Sequence, residues 1–564
     1  MFTLSHFPNQ SRRGAIISRT LIIVLLVGYC FKATLLALSY HHSEQCTQQL
    51  SPLQKLRDPS PAQPQWPHAF HPQHRNAHPP SNTARENFTR DFEHLLRLIP
   101  DDSHARDLTS AITSTGEEKL RELGFRTRGF KALFKAWSTL HLVGAGDQML
   151  VRDDILQLLR DYPELSRDLH LDPTTATHAY EAARTFLTQV STRLFPWLTP
   201  STNPTSLYAH LHPPSRGLVF TAGDDQALYL ETSIRSLRNE GCTLPIEVMY
   251  LGDEDLSVDA REALESLPGV ITRDLRALVN DEGWTLRGWA AKPFAILHSS
   301  FREAVFVDAD SLFIRDPAAL FDDPGYRATG ALFFKDRLLM PGSKRAWLRR
   351  VLPAPVSKQA RRSRLWTGQS IHMQESGVVV VDKWRHFVAL LLVARLNGPD
   401  RDGNEAEGRV GVYDMVYGDK ETFWLGWELV GDTEYAFHEG AAAVMGAPQV
   451  NPQAERNGTA GPRFNICAPQ LLHLGADGRP LWFNGWLLPN KFSENQRQQP
   501  TAFEAFIPEP SDAEAVGAWE LKQSNVCCLS ADADRVISLN AAEKRVLGGI
   551  VKIAREVGAI SDDP

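Results

Sequence analysis

At 564 residues the chain is too long for one hydrophobic core, so two or three domains joined by irregular segments are expected. A hydrophobic share of 43% and a charged share of 23% are ordinary for a globular protein. The net charge of -7 argues against nucleic acid as a partner, because phosphate backbones are bound by concentrated basic stripes.

Arg12, Arg13 and Arg19 precede an apolar run over residues 20–40 that only Lys32 interrupts. As a helix that run is about 31 Å long, enough to cross a bilayer core. Lys32 costs roughly 2.5 to 3.5 kcal/mol at a bilayer centre, which snorkelling lowers and the Leu, Ile and Val residues offset. No small-residue cleavage site follows cleanly, so a retained signal-anchor is expected rather than a removed leader. The positive-inside rule assigns residues 1–19 to the cytosol and everything after Tyr40 to a lumen, a single-pass type II topology.

Asn87-Phe88-Thr89 and Asn457-Gly458-Thr459 are glycosylation sequons that suit this topology. Five of the six cysteines, Cys46, Cys242, Cys467, Cys527 and Cys528, fall on the lumenal side. An odd number leaves one unpaired or linked between chains, and Cys46, beside the membrane, is the natural candidate for a bridge to a second copy. No cysteine or histidine cluster has zinc spacing.

Residues 41–90 are dominated by His, Gln, Pro and Ser and read as a spacer with no core of its own. Over 91–200 apolar residues recur at helical spacing, as in Phe92, Leu95 and Leu96, Leu133, Phe134 and Trp137, and Ile155, Leu158 and Leu159, which predicts a helical accessory region. A Pro, Ser and Thr-rich segment then marks the start of a catalytic region over 215–500, followed by a C-terminal extension over 501–564.

The catalytic region alternates strands with helices. Leu218-Val219-Phe220-Thr221 precedes a helix near 226–238, Ile246 to Tyr250 and Val270 to Thr272 are further strands, and a helix follows Lys292. This alternation predicts an α/β fold with a mostly parallel sheet and helices on both faces. Ala304-Val305-Phe306-Val307 is a buried strand that runs into Asp308-Ala309-Asp310. An Asp-x-Asp also caps ordinary turns, but ligands of open α/β sheets bind beyond strand carboxyl ends, where these two acids fall. No glycine-rich dinucleotide or P-loop motif follows any strand, so phosphate must be held another way. A divalent cation on the two carboxylates would do so, since Mn²⁺ and Mg²⁺ take oxygen ligands and neutralise a leaving diphosphate. Thr221, Gly223 and Asp225 at the end of the first strand are candidates for the donor pocket. Lys292 is a candidate point charge for the diphosphate, or a solvated helix-start lysine.

Six blocks carry a resemblance. Gly217-Leu218-Val219-Phe220-Thr221-Ala222-Gly223, Leu237-Arg238, Lys292-Pro293-Phe294, Val307-Asp308-Ala309-Asp310, Gln374-Glu375-Ser376-Gly377-Val378-Val379-Val380-Val381-Asp382 and Gly418-Asp419-Lys420-Glu421-Thr422-Phe423-Trp424 resemble, in order, the fungal Golgi α-mannosyltransferases of glycosyltransferase family 71. The resemblance implies a GT-A fold for a nucleotide-diphospho-sugar transferase, a GDP-mannose donor, a mannose-containing glycan acceptor, Mn²⁺ or Mg²⁺, and retention of the α configuration. It implies Asp308 and Asp310 as metal ligands, Asp308 also near the donor ribose, and His473 as the third ligand, although a lone His among leucines also reads as a packed core residue. Glu375 and Ser376 are implied in sugar recognition, and Asp419, Lys420, Glu421 and Trp424 on the acceptor side. Trp424, Trp427, Trp482 and Trp486 are candidates for a sugar-stacking platform, although for any single one a place in the core is the more usual outcome.

Front-face substitution is the expected mechanism, with a double displacement through Glu375 or Asp419 as the competitor. An α-1,3 linkage is favoured over α-1,2. A UDP-glucose or UDP-galactose transferase of the same fold, a metal phosphohydrolase and a non-catalytic lumenal glycan-binding protein are the alternatives. The expected address is the Golgi membrane, alone, as a homodimer or in a transferase complex.

Overall fold

The computed structural model describes residues 82–199, 202–451, 463–490, 499–511, 516–522 and 526–561. The anchor expected over 20–40, Cys46 and the sequon at Asn457 lie outside the described residues. Among the described residues, no helix is long and apolar enough to cross a membrane. Helix Asn82–Arg97 begins inside the stretch read as spacer, because Phe88, Phe92 and Leu95 recur on one face and bury together. Asn87 is exposed on that helix.

A seven-stranded sheet forms the centre, in the order Ala436–Phe437, Ala331–Lys335, Gln374–Asp382, Glu303–Asp308, Arg216–Thr221, Ile246–Tyr250 and Val270–Asp274. Only Gln374–Asp382 runs against its neighbours, so the expected mostly parallel sheet is present. Period-two alternation splits the strand residues between two cores. Val219, Phe306, Phe333, Val379 and Val381 bury on one face with helices Ala291–His298, Phe387–Asn397 and Thr422–Leu429. Phe220, Val305, Val307, Val378 and Val380 bury on the other with helices Ala227–Asn239 and Val258–Glu265.

The described residues from 82 onward belong to one compact unit. The helical region shares the first core: the rings of Phe134 and Phe387 stack at 5.5 Å. Gly124 makes this close approach possible, since a Cβ there would lie 3.1 Å from the carbonyl oxygen of Leu429. The C-terminal residues complete a second, six-stranded antiparallel sheet through Ala505–Pro508 and Ile537–Ser538. Helix Ala541–Glu556 packs Val546, Leu547 and Ile550 into the core beneath that sheet. In a third sheet, Cys467 on Arg463–Ala468 is joined to Cys528 on Cys527–Asp532 by a disulfide. Cys242 and Cys527 are buried free thiols.

The acidic net charge conceals one basic concentration. Residues 337–374 hold nine Lys and Arg and no Asp or Glu, and Arg345, Arg349, Lys358, Arg361 and Arg362 are exposed.

Candidate active site

Asp308 ends the strand Glu303–Asp308 at the sheet's carboxyl edge, level with Thr221 of the neighbouring parallel strand. Immediately after Asp310 the chain changes sheets. Ser311–Phe313 leaves the central sheet and pairs with Pro480–Asn484 of the second, Ser311 opposite Asn484. The Trp486 N–H donates to the carbonyl oxygen of Asp310 at 3.1 Å, which fixes the backbone of the pair. Gly377 lies at the same junction: a Cβ there would fall 2.9 Å from Asn484 Nδ2 and 3.0 Å from Ser311 Oγ. The two acids therefore sit where two sheets part.

Two lysines, Lys292 buried and Lys420 part-buried, organise the remaining acids. Lys292 comes from the start of helix Ala291–His298, and its Nζ lies 2.8 Å from Asp308 Oδ2, 3.2 Å from Ser376 Oγ and 3.4 Å from Asp419 Oδ2. Asp419 makes an ion pair there without an aligned hydrogen bond. Burial would lower the Lys292 pKa, but Asp308 and Asp419 outweigh it and hold the ammonium above its ordinary value. Burial and the nearby acids Asp310 and Asp419 push Asp308 up to about 7 despite Lys292. Three carboxylates thus share the surroundings of one cation.

Lys420 forms the second node, donating to Asp336 Oδ2 at 2.7 Å and to Glu375 Oε2 at 2.6 Å. The other Glu375 oxygen accepts from Gly377 N at 2.9 Å and Asn484 Nδ2 at 3.1 Å. Burial alone would raise the Glu375 carboxyl, but Lys420 holds it well below the usual carboxylate range. Asp336, at the end of the Ala331–Lys335 strand, is a member of the site that sequence reasoning missed. No motif marks it; only the pairing of strands brings it to Lys420.

The other expected site residues fall in closely packed surroundings. Lys292 is 5% exposed and engaged with Asp308 and Asp419, so it orders the acids. Glu421 is buried, with Oε1 accepting from Met373 N at 2.7 Å and Oε2 from Trp424 Nε1 at 2.5 Å, so it braces the loop rather than facing an acceptor. Burial pushes its carboxyl up to about 7. Trp424, Trp427, Trp482 and Trp486 are each 0% exposed, so none offers a stacking platform. They pack because the helix Thr422–Leu429 is apolar all round and Trp482 and Trp486 lie in or beside the second sheet.

His473 is not gathered with Asp308 and Asp310. It lies on Leu471–Leu474 with its ring stacked on Trp482 at 4.0 Å and edge-on to Phe334, and burial lowers its pKa to about 3. Among the described residues no group of three or more His, Cys, Asp or Glu is close enough to hold a metal ion. Asp308 and Asp310, at the sheet's carboxyl edge, offer hard oxygen donors one residue apart, of the kind a divalent cation with diphosphate and water ligands requires. The buried Nε2 of His473 has no hydrogen-bond partner, but its aromatic clamp suits a packed ring.

On the donor side, Gly223 follows Thr221, and a Cβ there would meet Asp255 Oδ1 at 2.9 Å and Asp225 Oδ1 at 3.3 Å. Gly223, Asp225 and Asp255 therefore converge on one loop beside the Thr221–Asp308 strand ends, and burial with the charge of Asp225 raises the Asp255 carboxyl. In the segments that lead into Lys292 and Asp419, two aromatic residues remain in solvent. Trp289 is 57% and Tyr417 60% exposed, and their ring centroids lie 6.3 Å apart. Adjacency in sequence to the acids marks buried aromatic residues and passes over these two.

The family described as "Mannosyltransferase putative" matches residues 215–475. The chain is 27% identical over 320 residues to "Putative alpha-1,3-mannosyltransferase MNN1" of Candida albicans, covering 48% of this chain and 38% of that one. It is 26% identical over 313 residues to alpha-1,3-mannosyltransferase MNT3 of Saccharomyces cerevisiae, covering 50% and 48%. The chain thus spans less than half the length of these two relatives. Among solved structures, core-mannan synthase A of Aspergillus fumigatus in its Mn/GDP form is 12% identical, covers 40% of this chain and 72% of that one, and superposes with a TM-score of 0.25, too loosely to argue from.

Proposed function

Since its residues 215–475 match a mannosyltransferase family, we propose that this protein is a metal-dependent retaining glycosyltransferase of GT-A type that moves mannose from GDP-mannose to a mannose-containing glycan. The observation that carries this reading is the Asp308-x-Asp310 pair at the parting of two sheets, held by Lys292 and set between the Gly223 loop and Asp419. The α-1,3 linkage is favoured because the relatives carry that name.

Asp308 and Asp310 would hold Mn²⁺ or Mg²⁺, which supplies neutralisation of a leaving diphosphate when bound. Thr221, Gly223 and Asp225 line the side on which the nucleotide would lie. Lys292 keeps Asp308 and Asp419 from repelling each other, so both carboxylates are held in place before a donor arrives. Both oxygens of Glu375 are engaged and its carboxylate is stabilised by Lys420, which leaves a poor nucleophile. That supports front-face substitution, with the acceptor hydroxyl attacking from the leaving-group side.

The Cys467–Cys528 disulfide supports an oxidising compartment. With the apolar run at 20–40, it supports a type II Golgi membrane protein whose catalytic region is lumenal. The full chain, purified in detergent, is tested against GDP-mannose, UDP-glucose and UDP-galactose with Mn²⁺ and a mannoside acceptor. Transfer from GDP-mannose, lost on chelation, is expected; transfer from a UDP-sugar alone, or donor hydrolysis with no transfer, would overturn the reading.

A further inference from the structure

Trp289 and Tyr417 are among the few large aromatic residues left in solvent, and they come from distant parts of the chain. Trp289 lies in the turn Gly288–Ala290 that leads directly into the helix bearing Lys292. Tyr417 immediately precedes Gly418, and Gly418 precedes Asp419, the ion-pair partner of Lys292 at 3.4 Å. The two segments meet at Gly418. Its φ of +59° is left-handed, and a Cβ there would lie 3.1 Å from Trp289 Cε3, so glycine both turns the chain and seats the indole. His372 meets Tyr417 edge-on at 5.5 Å and closes the outer side of the pair.

Burying a large apolar ring is the ordinary outcome of folding, and the chain does so with Trp424, Trp427, Trp482 and Trp486. Leaving two π faces in water beside a dense charged cluster needs a reason. A pyranose ring has an apolar C–H face, which an exposed aromatic face can hold. The patch is only two rings wide and is continuous with the acids through a single residue, Gly418, which suits one or two sugar units better than a protein surface.

We propose that Trp289 and Tyr417 form an acceptor-sugar subsite, stacking a pyranose ring of the acceptor glycan at the mouth of the Lys292–Asp419 pair. The inference rests on the glycosyl-transfer reading above and gives that site its acceptor specificity.

The test compares the full-length wild type with Trp289→Ala, Tyr417→Ala and Trp289→Phe, measuring donor hydrolysis without acceptor and transfer to free mannosides. In both alanine variants the acceptor KM should rise about tenfold, the size of one good stacking contact, with kcat and donor hydrolysis within about twofold of wild type. Trp289→Phe should recover most of the loss. An unchanged acceptor KM, or hydrolysis and transfer falling together, would overturn the subsite. So would a loss confined to protein-linked acceptors, which would mark a protein-docking surface instead. If the wild type turned over no GDP-mannose, the function would be wrong but the subsite still decidable: mannobiose should quench wild-type tryptophan fluorescence and not that of Trp289→Phe, and equal responses would refute it.

Discussion

The ammonium of Lys292 lies 2.8 Å from Oδ2 of Asp308, joining the first turn of a helix to the end of a strand. A buried lysine is stable as a cation only where acids surround it, and buried acids only where a cation does. Lys292, Asp308 and Asp419 therefore form one electrostatic unit in which no member can be removed without exposing the others' cost.

Lys292→Met is expected to destabilise the fold by about 3 to 5 kcal/mol, the range for a buried ion pair that loses one partner, and to abolish transfer. Urea unfolding of the variant checks the first part and GDP release the second. A stable, active Lys292→Met would show that the lysine neither neutralises nor orders the acids.

Asp310→Ala should behave differently, because Asp310 is only partly buried and its backbone is held by Trp486. Transfer should fall by at least about 100-fold, as for the loss of a group that stabilises developing charge, while the unfolding midpoint stays close to wild type. Unaltered turnover would remove Asp310 from the metal assignment.

Trp424→Phe tests the correction to the acceptor side. The buried Glu421 carboxylate would lose the indole N–H while keeping Met373 N. About 1 to 3 kcal/mol of stability should be lost, the cost of a buried acceptor left short of a donor. Acceptor KM should not move, whereas Trp289→Ala should move it.

His141 should make the helical region sensitive to acid. Burial lowers its pKa from 6.5 to about 4, although the Trp137 carbonyl at 2.9 Å opposes the shift. Between those values the unfolded chain takes up a proton that the folded chain does not. The stability is thus fully present above pH 6.5 and is lost as pH falls toward 4, by up to roughly 3 kcal/mol. Urea midpoints of the wild type and His141→Phe at pH 7 and pH 5 should converge at the lower pH; parallel shifts would assign the acid sensitivity elsewhere.

Much of the central sheet was legible in the sequence, although the strands Ala331–Lys335 and Ala436–Phe437 were not. Apolar runs such as Val378 to Val381, buried on both faces, have few other ways to fold, and Asp308 and Asp310 could be located because they follow such a run. The helical region was also legible as helices, but not as part of the same core. Period alone says that a face is apolar and not what covers it, and Gly124, which lets its helix approach Leu429, carries no mark in the sequence.

Local patterning by itself thus determined the strand order's raw material, the acidic pair and the family likeness, because these depend on residues a few positions apart. Exposure and pairing depend on what distant segments bring to the same place, and only the tertiary structure decided them. It buried Trp424 and exposed Trp289, set His473 against Trp482, and brought Asp336 to Lys420 across 84 residues of chain.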